Sequence, residues 1–284
     1  MSHLKILVPT DFSKNATYGV KYAIQFAAQT QSDLLFFHST CSLIPTSGSR
    51  DSYEMAVKKE ILLKEELLKK TVEKIYHLLE IPLNPNKVQY GVTYGTSVVD
   101  DILEAAEEKH VDLVISATKG ATGLKKVFFG SNTASIISKS PVPVLAIPAK
   151  VKYQPLNEII YSTDLLNFEN ELNQVKSLCN KFSLNYTIVN FAPGGFLFPE
   201  EKELVKKIKA LEPKFAQRSF PIDQPLTYKI ENYMKKHKGS VLGMFKESRS
   251  GFTKFILGSI TEDLTFDLKF PLLVFKKEKV LELA

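Results

Sequence analysis

The chain has 284 residues, 44% hydrophobic and 24% charged, so a soluble two-domain protein is expected at roughly 100–200 residues per domain. Its net charge of +6 suits an anionic ligand, a nucleic acid, or simply a solvated basic surface. Two cysteines without CxxC spacing exclude a disulfide scaffold, no apolar run approaches the roughly 18 residues of a membrane span, and "MSHLKILVPTDFS" has no signal-peptide pattern, so a cytoplasmic protein is expected.

"LKILVPT" is a short apolar run ending in a turn and reads as a buried parallel strand. Ala16, Val20, Ala23, Ile24 and Ala27 follow at helical spacing, and "DLLFFHST" is a second strand. "CSLIPTSGSRDS" is rich in Ser, Thr, Gly and Pro and reads as a loop. "VKKEILLKEELLKKTVEKIYHLLE" is a long amphipathic helix, and "KVQYGV" alternates like a strand. "SVVDDILEAAEEKH" is a helix with Ser97 as N-cap and two aspartates in its first turns. "VDLVIS" is a strand, "ATKGATGLKKVFFGS" a glycine loop and "SNTASIISKS" a helix. Pro141 and Pro143 stop that helix, and "VLAIP" is the last strand. Strands alternating with helices imply right-handed crossovers and a parallel sheet covered on both faces.

The second half repeats the order. "NEIIYSTD" answers "KILVPTD", "ENELNQVKSLCNKF" the first helix and "NYTIVNF" the second strand. "PEEKELVKKIKAL" is a shorter second helix, "PLTYKIENYMKKH" the third, "SVLGMF" the fourth strand and "PLLVFK" the last. The offset between halves is 153 residues at Asp11/Asp164 and 128 at Gly130/Gly258, the shortening falling largely within residues 41–80. The expected architecture is α/β: two tandem doubly wound domains, 1–150 and 151–284, each with a five-stranded parallel sheet.

An open parallel sheet binds ligands outside the carboxyl ends of its strands, where the strand order reverses. Asp11 and the 117–131 loop both belong at that edge. Glycines let backbone N–H groups approach an anion, and Gly130 precedes a helix whose first turn favours negative charge. Ser131 can donate to a phosphate, Lys119, Lys125 and Lys126 can add charge, and Asp11 can accept from ribose hydroxyls. The residues alone leave the plain alternative open: Ser131 as a helix cap, Gly130 as a turn and the lysines solvated. There is no G-x-x-x-x-G-K-[ST], no G-x-G-x-x-G after the first strand and no G-x-S-x-G. The five histidines show no metal-ligand spacing, and His38 reads as a packed core residue. Asp100 and Asp101 read as capping or solvated charge.

"ILVPTDFS", "FFHST" and "SATKGATGLKKVFFGSNTASIISKSPVPVLAIP" together resemble the universal stress protein family, in a tandem form covering nearly the whole chain. Nucleotide-binding members carry Gly, two residues, Gly, nine residues, then Gly-Ser or Gly-Thr. Here Ala117 stands at the first glycine, Gly120 matches the second, and Gly130 and Ser131 match the final pair. The resemblance implies an adenine-nucleotide alpha-hydrolase-like fold that binds ATP, with or without Mg²⁺. It would set Pro9, Thr10 and Asp11 near adenine and ribose, Ser39 and Ser116 beside the nucleoside, and Gly120, Gly130, Ser131 and Asn132 around the phosphates.

In the second half the same alignment puts Phe245 and Ser248 at the first two glycines, keeping Gly258, Ser259 and Asp164. That site is expected to be degenerate. Three functions are compatible with these features. They are a nucleotide-binding stress or signalling protein without fast catalysis, a slow ATPase or phosphoryl-transfer enzyme, and a nucleotide-free interaction module. The expected partners are an adenine nucleotide, the two halves packed as a pseudo-dimer, a second copy in a homodimer, and a protein partner of undefined kind. Neither membrane nor nucleic acid is expected.

Overall fold

The structure is a computed structural model that describes residues 4–41, 49–118, 130–165, 167–195, 199–212, 214–221, 223–246 and 269–276. The chain divides into two compact units, Met1–Tyr153 and Gln154–Ala284.

Unit 1 runs β1 (Lys5–Pro9), α1 (Ala16–Thr30), β2 (Asp33–Thr40), α2 (Arg50–Leu78), β3 (Val88–Tyr94), α3 (Val98–Glu108), β4 (Leu113–Ala117), α4 (Ser131–Lys139) and β5 (Val144–Ile147). Its five strands lie in the order β3-β2-β1-β4-β5, every pair parallel. Ile6, Leu7 and Val8 are fully buried, as a strand covered on both faces requires. From β1 the chain moves outward through β2 to β3, then returns past β1 to β4. The order therefore reverses between β1 and β4, and a crevice opens at their carboxyl ends.

Side-chain caps set the starts of α2 and α3. Ser97 accepts from the Asp100 amide at 3.3 Å, as expected, with Asp100 and Asp101 in the first turn of α3. Ser49 accepts from the Ser52 amide at 3.3 Å, so α2 begins at Arg50, inside the stretch read as a loop through Ser52. Serine and aspartate look like loop residues until one of them caps the turn that follows. At 29 residues α2 is about 43 Å long, against roughly 23 Å for seven-residue β3. Its buried residues, Leu68, Val72, Ile75 and Tyr76, all lie in its second half.

Unit 2 runs β6 (Glu158–Thr163), α5 (Phe168–Phe182), β7 (Asn185–Pro193), α6 (Pro199–Leu211), β8 (Phe215–Phe220), α7 (Leu226–Lys236), β9 (Ser240–Lys246) and β10 (Leu272–Lys276). Its strands lie in the order β8-β7-β6-β9-β10, again all parallel. Element for element this is the order of unit 1. Strand β8, "FAQRSF", is not evident in the sequence. It pairs with β7 alone among the described strands, and exposed Arg218 and Ser219 blur its apolar signal.

Among the described residues no helix is long and apolar enough to cross a membrane.

Candidate functional site

A pocket of about 310 Å³ occupies the crevice at the ends of β1 and β4 in unit 1. Pro9, Thr10 and Asp11 enter it from the end of β1, and Ser39 from β2. Ser116 and Ala117 come from the end of β4, and Gly130, Ser131 and Asn132 from the start of α4. Gly120, Lys119, Lys125 and Lys126, which the sequence also assigns to this edge, lie outside the described residues. The volume sits at the lower end of the range for small-molecule sites, about 300–1,000 Å³.

Each wall is locally braced. The Thr10 hydroxyl accepts from the Phe12 amide at 3.1 Å, Asp11 Oδ1 from the Ser13 amide at 3.0 Å, and Ser13 Oγ from the Ala16 amide at 3.0 Å. Phe12 takes the left-handed conformation (φ 61°) that this tight turn demands. His38 Nδ1 donates to the Thr10 carbonyl at 2.8 Å, and its ring lies 4.4 Å from that of Phe12. A carbonyl only accepts, so the ring proton sits on Nδ1. Burial holds this imidazole below the usual histidine range. The packed-core reading of His38 is therefore correct, and its packing fixes the turn that carries Asp11.

On the opposite wall, Thr118 and Gly130 close the base of the loop: the Gly130 amide donates to the Thr118 carbonyl at 2.6 Å. Thr133 Oγ1 donates to the Ala117 carbonyl at 2.8 Å. Gly130 is the N-cap of α4 and offers no side chain to the helix start, and the first turn holds no acidic residue. The N–H groups of that turn lack intrahelical acceptors and open onto the pocket, with the positive end of the helix dipole behind them. An anion is the complementary ligand.

Thr133 also lines the pocket, and the remaining lining is apolar: Ala16, Phe37, Val98, Ile102 and Ile136. The sequence marks these only as core residues. Their spacing was the available signal, since Val98 and Ile102 share one face of α3. Asp101 was also underestimated. It accepts from Ser39 Oγ at 2.5 Å, and a Cβ at Gly95 would stand 2.1 Å from its Oδ2. A glycine is needed there for the carboxylate to reach Ser39. Asp100 does behave as surface charge, held below the usual carboxylate range by Ser97 and Lys139. Asp11 is the only carboxylate among the described lining residues. Among the described residues no group of three or more His, Cys, Asp or Glu side chains is arranged to hold a metal ion.

Strand register locates the corresponding edge of unit 2. Ile6 faces Leu113 and Ile159 faces Val241, so Phe245 stands where Ala117 stands and Met244 where Ser116 stands. Pro9 faces Phe37 and Ser162 faces Val189, so Phe191 replaces Ser39 and Tyr161 replaces Val8. The turn after the first strand persists: the Thr163 hydroxyl accepts from the Leu165 amide at 2.9 Å, and Leu165 has φ 70°. The walls do not persist. Phe245 is 2% exposed, stacked on Phe275 at 4.8 Å and edge-on to Tyr161 at 5.8 Å. Tyr161 donates to the buried carboxylate of Glu171 at 2.5 Å, and burial and that carboxylate push its phenol well above the ordinary range. Asp164 belongs to this edge, while Ser248, Gly258 and Ser259 lie outside the described residues.

A model of the universal stress protein family matches residues 3–148. A universal stress protein of Methanocaldococcus jannaschii is 28% identical over 158 residues, 51% of this chain and 95% of its own length. A second from the same organism is 28% identical over 150 residues, 50% of this chain and 81% of its own. The crystal structure of a universal stress protein from Archaeoglobus fulgidus is 19% identical. It covers 96% of this chain and 98% of its own with a TM-score of 0.63, which shows the shared fold.

Proposed function

The chain belongs to the universal stress protein family, and on that premise we propose that unit 1 binds an adenine nucleotide, ATP or a close relative, and acts by binding without fast chemistry. The carrying observation is the convergence on one pocket of the Pro9-Thr10-Asp11 turn, Ser39, Ser116 and the uncapped start of α4. The apolar floor of Phe37, Val98 and Ile102 suits a purine. Asp11 suits ribose hydroxyls, and the first-turn amides of α4 with Ser131 suit phosphate. Mg²⁺, where it accompanies the nucleotide, would be held by the phosphates with Asp11 as the available carboxylate. Phosphoryl transfer calls for further charged groups around the phosphates. A single lining carboxylate therefore supports binding over turnover. Unit 2 is proposed to bind no nucleotide, because Phe245, Tyr161 and Phe191 stand where unit 1 keeps small residues.

The test is gentle purification followed by mass spectrometry of released small molecules, then calorimetry with ATP and Mg²⁺. About one adenine nucleotide per chain is expected. Ser131→Glu sets a carboxylate against the phosphates and should weaken binding by ~10-fold or more. No retained nucleotide and no calorimetric signal would overturn the reading, and two per chain would overturn the account of unit 2.

A further inference from the structure

Among the described residues eight large apolar side chains are exposed, and five of them lie between Tyr53 and Leu67 of α2. Met55 is 65% exposed, Leu62 66%, Leu63 53% and Leu67 44%. This half of the helix has no buried residue. Helix propensity does not account for the choice, since Leu and Met are no better helix formers than the Lys and Glu around them. The surface ion pairs Arg50–Glu54, Glu60–Lys64, Glu65–Lys69 and Glu66–Lys70 already support the helix from within.

The order of side chains on the outward face identifies what covers them. At helical spacing that face presents Met55, Lys59, Leu62 with Leu63, Glu66 and Lys70, all exposed. Reversed end for end about the point between Leu62 and Leu63, the face complements itself. Leu62 meets Leu63, Lys59 meets Glu66, and Met55 meets the aliphatic stem of Lys70. No like charges meet. In a parallel arrangement Lys59 would face Lys59 and Glu66 would face Glu66. A self-complementary patch is the signature of an isologous two-fold contact.

We propose that the first half of α2 docks antiparallel on the same helix of a second copy of this chain, about a two-fold axis passing between Leu62 and Leu63. Four leucines form the centre, and two Lys59–Glu66 pairs flank it and set the direction. Among the described residues α6, the counterpart in unit 2, has 13 residues against 29 in α2, too few to repeat this face. The docking does not depend on the nucleotide reading of the pocket.

Sedimentation equilibrium of the full chain over a concentration series tests this, with circular dichroism to check that each variant keeps its helices. The native chain is expected to dimerise reversibly. Lys59→Glu and Glu66→Lys alone should each raise the dissociation constant by ~10-fold or more, since each puts like charges face to face. Mixed one to one, the two variants should form a heterodimer as tight as the native dimer, because each then meets its opposite. Leu62→Ser with Leu63→Ser should leave a monomer. A native chain that stays monomeric, a dimer indifferent to these changes, or a mixture that fails to associate would each overturn the proposal.

Discussion

Gly19→Ala sets two effects of known size against each other. Gly19 lies inside α1, where alanine is preferred to glycine by about 0.8–1.0 kcal/mol. In an open helix the substitution would therefore stabilise. Here a Cβ on residue 19 would stand 2.9 Å from the Ala117 amide nitrogen and 3.4 Å from the Ser116 carbonyl carbon. Both are backbone atoms of β4, which cannot rotate aside. Forcing an added methyl into a packed interior costs about 1–3 kcal/mol. The clash wins, and the variant should be less stable by about 0–2 kcal/mol, lowering the melting temperature by up to ~8 °C. Ser116 and Ala117 also line the pocket. If misplacement by about 1 Å costs about 100-fold, a shift of a few tenths should weaken nucleotide binding by ~2- to 10-fold. Calorimetric melting and ATP titration on one preparation measure both. Ala28→Gly, at an exposed position of the same helix, is the control and should cost about 1 kcal/mol. A Gly19→Ala protein more stable than the parent by the full propensity gain would refute the close approach of α1 to β4.

Phe245→Ala removes a fully packed ring and should cost unit 2 about 3–5 kcal/mol, seen as an earlier transition in urea, with nucleotide stoichiometry unchanged. Appearance of a second bound nucleotide would contradict the account of that edge. Ser39→Phe copies the wall of unit 2 into unit 1 and should abolish ATP binding while the circular dichroism spectrum is kept; retained affinity would move the site elsewhere. Burial lowers the pKa of His38 below its ordinary value of about 6.5; the hydrogen bond to the Thr10 carbonyl opposes this, Lys64 adds to it, and Asp11 and Glu60 oppose it more weakly. The unfolded chain therefore binds this proton more readily, so the contribution is full above that value and is lost as pH falls below it. His38→Gln should flatten the slope of melting temperature between about pH 7 and 5, and equal slopes in the two proteins would refute it.

The apolar runs of β1, β2 and β4 were legible because buried parallel strands need continuous hydrophobic stretches. The ends of α3 and α4 were legible because Ser97 and the prolines act within one turn of their own position. Strand β8 was not, because Arg218 and Ser219 leave a strand that pairs on one side without a clear apolar pattern. Within the site, Asp11, Gly130 and Ser131 stood out by residue type and motif spacing. Phe37, Ile102 and Ile136 did not, since a pocket floor and a core have the same composition. Asp101 was read as a capping charge because nothing local announces a hydrogen bond to a residue 62 positions away.

By itself the amino-acid order determined what local chemistry dictates: where backbone bends, where helices start, which stretches avoid water, and where Ala117 and Phe245 interrupt a glycine pattern. Only the tertiary structure decided what those interruptions mean. Ala117 borders a pocket because Ser39 and Ser116 beside it are small. Phe245 belongs to a filled core because Tyr161 and Phe275 pack against its ring. Whether a residue opens a cavity or closes one depends on the volumes of neighbours brought together by strand register, and those neighbours lie far apart along the chain.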